Sequence, residues 1–99
     1  MNDTLATHSV DPISKRLHAM LAYRLGRQDS EIQDHFNLVN ELYVDSLDLV
    51  EIEIGISETF GVNLSEKEML AMETVGDLYQ IVKAHIIEKQ MLGNSITAE

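Results

Sequence analysis

Ser46 stands between Asp45 and the pair Leu47-Asp48, and Glu51, Glu53 and Glu58 follow close behind. One hydroxyl in a field of carboxylates invites two kinds of chemistry, nucleophilic attack or covalent attachment. Attack needs a base and a strained turn, yet no G-x-S-x-G surrounds Ser46. Attachment needs only an exposed hydroxyl. Read as a helix start, Asp45 is the N-cap and Ser46 lies just inside, where unpaired N–H groups and the positive end of the helix dipole favour an anionic substituent. A phosphodiester on Ser46 is well placed there. Asp and Ser are also common capping residues, and that alone would explain an isolated Asp-Ser-Leu.

Other reactive groups are scattered. His8, His18, His35 and His85 have no paired spacing, and the carboxylates do not form a D-x-[DN]-x-[DN]-G loop, so neither a metal enzyme nor a calcium site is indicated. The chain has no Cys, which removes disulfides, thiolate ligands and a cysteine nucleophile. Any thiol must be supplied from outside.

The segment that carries Ser46, VDSLDLVEIEIGI, is ambiguous in period. Val50, Ile52, Ile54 and Ile56 alternate with Glu51, Glu53 and Gly55 as in a half-buried strand. The flanks decide the matter. Asp11-Pro12 followed by Ile13, Leu17, Met20, Leu21 and Leu25, with Gly26 behind, marks a first helix. Ser65-x-x-Glu68 and Thr74-x-x-Asp77 are capping boxes, one opening a short helix through Met69 and Leu70, the other a helix carrying Val75, Leu78, Ile81, Val82, Ile86 and Ile87. With no second strand to satisfy its backbone, the Ser46 segment is expected to be helical. The sequence therefore predicts an all-α, four-helix bundle: three longer helices, a short third one, and a long loop over 27–44 pinned by Ile32, Phe36, Leu38 and Leu42. Residues 1–10 read as a flexible arm, 11–89 as the domain, and 90–99 as a flexible tail after Gly93.

On helical spacing Leu49, Ile52, Ile56 and Phe60 form a core stripe, and Leu47, Val50 and Ile54 a second one beside it. Asp48, Glu51 and Glu58 lie off both. Surplus apolar surface rimmed by acids fits either a partner-binding face or a wide core face in a small bundle.

Seventeen acidic residues against seven basic ones give a formal charge of −10 over 99 residues. Between Gln28 and Val82 thirteen acids face a single base, Lys67. Such a surface repels nucleic acid and anionic membranes and steers basic partners toward itself. No run of residues reads as a membrane span or a signal peptide, so a cytoplasmic monomer is expected.

The motif DSLDLVE, Asp45 to Glu51, resembles the modification motif of acyl carrier proteins. Ile32, Leu38 and NEL at 40–42 match the loop before it, and Phe60, Leu64, SEKE at 65–68 and TVGDL at 74–78 match the helices after it. The resemblance covers about Ile13 to His85. It implies that Ser46 receives 4′-phosphopantetheine from coenzyme A, and that Asp45 helps a phosphopantetheinyl transferase and its metal ion position the serine. It also implies that Leu47, Asp48, Glu51, Ile54, Gly55 and Glu58 meet acyltransferases, ketosynthases and related enzymes through basic docking patches. The core stripe would line a pocket for a carried acyl chain, and the carrier itself would catalyse nothing.

Three positions depart from that pattern: Tyr43 stands where Gly is usual, Leu49 replaces a commonly polar residue, and Ser57 stands where an acid is common. They leave a specialised pathway as open as a housekeeping one. Two other binding modules share the outline. An aminoacyl or peptidyl carrier also uses a modified serine but usually lacks such concentrated acidity. An unmodified acidic adaptor has no need of Ser46.

Overall fold

The computed structural model describes residues 11–98, with side chains through Leu92. Four α-helices follow one another, α1 (Pro12–Leu25), α2 (Ser46–Phe60), α3 (Glu66–Ala71) and α4 (Val75–Ala98), with one 3-10 turn, Asp29–Glu31, between the first two. There is no β-strand among the described residues, and the VDSLDLVEIEIGI segment is helical from Ser46 onward.

Each helix begins where the sequence places a cap. The Asp11 carboxylate accepts the Ile13 N–H at 2.9 Å, with Pro12 in the first turn where its missing N–H costs nothing. Gly26 closes α1 in the left-handed region (φ 69°), which lets the N–H of Arg27 reach the Ala22 carbonyl at 2.8 Å. Ser65 and Glu68 exchange bonds at the start of α3, and Thr74 and Asp77 do so at the start of α4. Two backbone N–H groups, of Glu73 and Thr74, hold the Asp77 carboxyl below its ordinary pKa.

Leu17, Leu21, Ile32, Ile52, Ile56, Val75, Leu78 and Val82 form the centre of the core. A side chain of this kind is worth roughly 2–5 kcal/mol against Ala. Charged side chains brace the helices from outside. Arg16 donates to the Thr59 carbonyl at 2.8 Å and lies over the Phe60 ring, tying α1 to α2. Tyr79 of α4 donates its hydroxyl to Asp11, and this bond foremost lowers the Asp11 pKa.

Two expectations differ from the structure. The sequence ends the last helix near Gly93, whereas α4 runs through it to Ala98. One Gly costs about 1 kcal/mol in a helix, and no Pro follows to stop a helix already nucleated over many turns. The segment 27–44 is not wholly irregular: besides its 3-10 turn it forms an isolated antiparallel bridge, Asn37 to Thr74.

Candidate functional site

The loop before α2 determines where Ser46 sits. The Leu38 N–H donates to the Glu73 carbonyl at 2.8 Å, and Val75 N–H returns a bond to Phe36 at 3.1 Å, so the loop is fastened to the start of α4. Asn37 turns the chain by accepting the N–H groups of Val39 and Asn40, while Glu41 accepts the N–H of Asn37. Leu38, Leu42 and Val44 are buried, and Val44 N–H bonds back to Leu38 at 2.8 Å. With Val44 held, Asp45 and Ser46 emerge at a fixed point on the surface.

Between the buried Leu42 and Val44 the backbone must turn sharply, and Tyr43 takes φ 57° to do it. Among the described residues it is the one non-glycine in the left-handed region. The Gly-like position expected from the resemblance is thus Gly-like in conformation, although Tyr occupies it. Its ring is exposed and the Arg27 guanidinium lies 5.9 Å from its centroid.

Asp45 and Asp48 form a capping box: Asp45 accepts the Asp48 N–H at 2.9 Å, and Asp48 accepts the Asp45 N–H at 3.1 Å. Ser46 is exposed, and its hydroxyl makes no hydrogen bond among the described residues. The N–H groups of Ser46 and Leu47 likewise find no partner among those residues, which leaves two free donors at the positive end of the helix that Ser46 opens.

The two stripes of α2 separate as the spacing predicts. Ile52 and Ile56 are fully buried with Leu49 and Phe60 half-buried against the core, while Leu47 is 76% exposed, Val50 50% and Ile54 42%. Asp48 is half-buried beside them.

Gly55 does not join the exposed face. It is buried against α1, where an added Cβ would lie 2.5 Å from the Met20 sulfur and 3.2 Å from Arg24 Nε. Its smallness allows the close approach of the two helices rather than contact with a partner. Glu51 and Glu58 flank it on the same edge and both bind Arg24, Nη1 to Glu51 at 2.8 Å and Nη2 to Glu58 at 2.7 Å. Glu51 first, then Glu58, raises the Arg24 pKa above its ordinary value.

The other edge of α2 faces α3 across an open cleft of about 390 Å³, lined by Leu49, Val50, Glu53, Glu66, Met69 and Leu70. Leu70 is 73% exposed at its rim. Glu68, further round α3, accepts from Ser65 N–H and binds His85 at 2.9 Å; these partners, Ser65 first, lower its pKa. Three residues here escaped the sequence reading. Arg24 belongs to no motif, Glu53 enters that reading only as one acid of the strand-like alternation, and Leu70 only as part of the short helix. The available signals were the seven-residue spacing of Glu51 and Glu58 around Gly55, and Leu70 falling out of phase with Met69 and Met72. Among the described residues no three His, Asp or Glu side chains gather as a metal site.

The family model for the phosphopantetheine attachment site matches residues 15–82, and the chain belongs to that family of non-catalytic carriers. An acyl carrier protein of Coprothermobacter proteolyticus is 29% identical to it over 79 residues, 80% of this chain and 96% of the relative. The group such a carrier bears is 4′-phosphopantetheine, and the chain supplies what its phosphodiester requires, an accessible hydroxyl beside two unpaired amides.

Proposed function

We propose that Ser46 carries the 4′-phosphopantetheine and that the chain holds acyl intermediates on it as thioesters for enzymes of fatty acid, lipid or polyketide synthesis. The observation that carries this reading is the exposed, unbonded Ser46 hydroxyl at the capped start of α2. When attached, the group supplies a thiol, absent from the chain itself, on which a carbonyl is activated for transfer. The protein's own residues position and present it. Asp45, with its carboxylate on the Asp48 N–H, holds the serine at the first helical position and helps the transferase and its metal ion reach it. Leu47, Asp48 and Ile54 offer partner enzymes an apolar stripe with an acidic border. Glu51 and Glu58, to which the resemblance gives the same role, each also hold Arg24 through one carboxylate oxygen.

The carrier works as a cytoplasmic monomer, visited briefly by each enzyme. No helix among the described residues is long and apolar enough to cross a membrane. To test the cargo, the protein is first loaded with phosphopantetheine, then offered malonyl-coenzyme A with a malonyl transferase, or an amino acid with an adenylating enzyme. A hydroxylamine-labile malonyl adduct without an aminoacyl one is expected. The reverse pattern would assign an aminoacyl or peptidyl carrier.

A further inference from the structure

Tyr43 holds a left-handed backbone (φ 57°) three residues before Ser46, a conformation that glycine adopts without steric cost and a bulky side chain resists. Its ring adds nothing to the core. Leu42 and Val44 on either side are buried, whereas Tyr43 is 73% exposed. Its contact with Arg27 is likewise at the surface, where such a contact stabilises only weakly. What the contact does is orient the ring. The Arg27 N–H is fixed on the Ala22 carbonyl at 2.8 Å, its Nη2 donates to the Leu42 carbonyl at 3.3 Å, and its Cζ stands 5.9 Å from the ring centroid. One guanidinium thus grips the backbone just before Tyr43 and covers one face of its ring, leaving the rest open to solvent. A braced aromatic surface of this kind takes an apolar group. Three peptide units span no more than about 11 Å, so the ring lies within reach of what Ser46 bears. Next to its phosphate, 4′-phosphopantetheine carries a quaternary carbon with two methyl groups, the most apolar part of the arm.

We propose that Tyr43, braced by Arg27, is a binding surface for the pantetheine arm, its ring packing against the geminal methyl groups of the group attached to Ser46. Tyr43 then keeps the arm beside the start of α2 between transfers, and Arg27 is its positioning residue. The inference deepens the reading of Ser46 as the attachment site and rests on it. The test is proton NMR of the loaded protein alone, without a partner enzyme, after intact mass has shown one phosphopantetheine on the wild type and none on Ser46→Ala. In the wild type and in Tyr43→Phe the geminal methyl resonances should lie upfield of their positions in free 4′-phosphopantetheine. Nuclear Overhauser effects should join them to the ring protons of residue 43. Tyr43→Gly keeps the backbone turn and removes the ring, and there the displacement should vanish. Arg27→Gln should reduce it, because the ring is no longer held. Methyl resonances that coincide in the wild type and Tyr43→Gly, with no Overhauser effect to the Tyr43 ring, would overturn the inference. A displacement undiminished in Arg27→Gln would overturn the role of Arg27. Should Tyr43→Gly fail to fold, the Overhauser effects in the wild type decide alone. Failure of the wild-type protein to load with any transferase would instead remove the carrier reading itself.

Discussion

Tyr43 holds φ 57° two residues before the Asp45 cap, a conformation that L side chains resist. The left-handed region costs roughly 1–2 kcal/mol for such a residue. Replacing Tyr43 by Gly removes that cost but adds roughly 0.5–1 kcal/mol of backbone entropy lost on folding. It also removes the exposed Arg27–Tyr43 contact, worth about 0.5 kcal/mol. The net change from Tyr is therefore small and tells little. The informative comparison is Tyr43→Ala against Tyr43→Gly, since both lose the ring and differ by one methyl group. At an ordinary helical position, for which exposed Ala84 in α4 serves as control, Gly is less stable than Ala by about 0.5–1 kcal/mol. At Tyr43 the order should invert, with Gly more stable by about 0.5–1 kcal/mol, or roughly 2–8 °C in melting temperature. Urea unfolding of the pairs, fitted with a common slope, gives the difference directly. If Tyr43→Ala equals or exceeds Tyr43→Gly in stability, the loop does not hold this residue left-handed, and the account of how Ser46 is positioned fails with it.

Two further outcomes concern charge. The folded-state pKa of Glu68 lies below its ordinary 4.5, so its stabilisation is present above about that pH and lost as pH falls through the lowered value. Asp11 and Asp77 act in the same direction. Glu68→Gln keeps an acceptor for the Ser65 N–H while removing one titration. Thermal melts between pH 5 and 3 should therefore fall less steeply for it than for the wild type, and parallel curves would show that the Glu68 bonds contribute nothing. At pH 7 the crowding of thirteen acids against Lys67 between Gln28 and Val82 should make the melting temperature rise with added salt, because repulsion is screened. A melting temperature indifferent to salt would show that the picture of a crowded, self-repelling acidic surface is wrong.

Local chemistry explains what could be read in advance. The caps at Asp11, Asp45, Ser65 and Thr74 each involve residues at most three apart, so their bonds are legible in a linear string. The buried and exposed stripes of α2 follow from helical period once the strand alternative is set aside for want of a partner. Contacts distant in sequence were not legible. Arg24 meets Glu51 and Glu58 across 27 and 34 residues, and nothing in its own neighbourhood marks it as different from Arg27. Gly55 matches a small-residue position by resemblance, but only its distance to Met20 shows that it packs inward. The left-handed turn at Tyr43 was hidden because Tyr is a poor signal for it. The extension of α4 was hidden because Gly93 reads as a stop.

The central claim is that Ser46 is where the chain bears its prosthetic group. The direct measurement is intact mass after incubation with coenzyme A, magnesium and several phosphopantetheinyl transferases, with Ser46→Ala in parallel and far-ultraviolet circular dichroism on both. The account predicts a gain of one phosphopantetheine unit on the wild type, no gain on Ser46→Ala, and the same helical spectrum for the two proteins. A gain that persists in the variant, or no gain with any transferase, would contradict it.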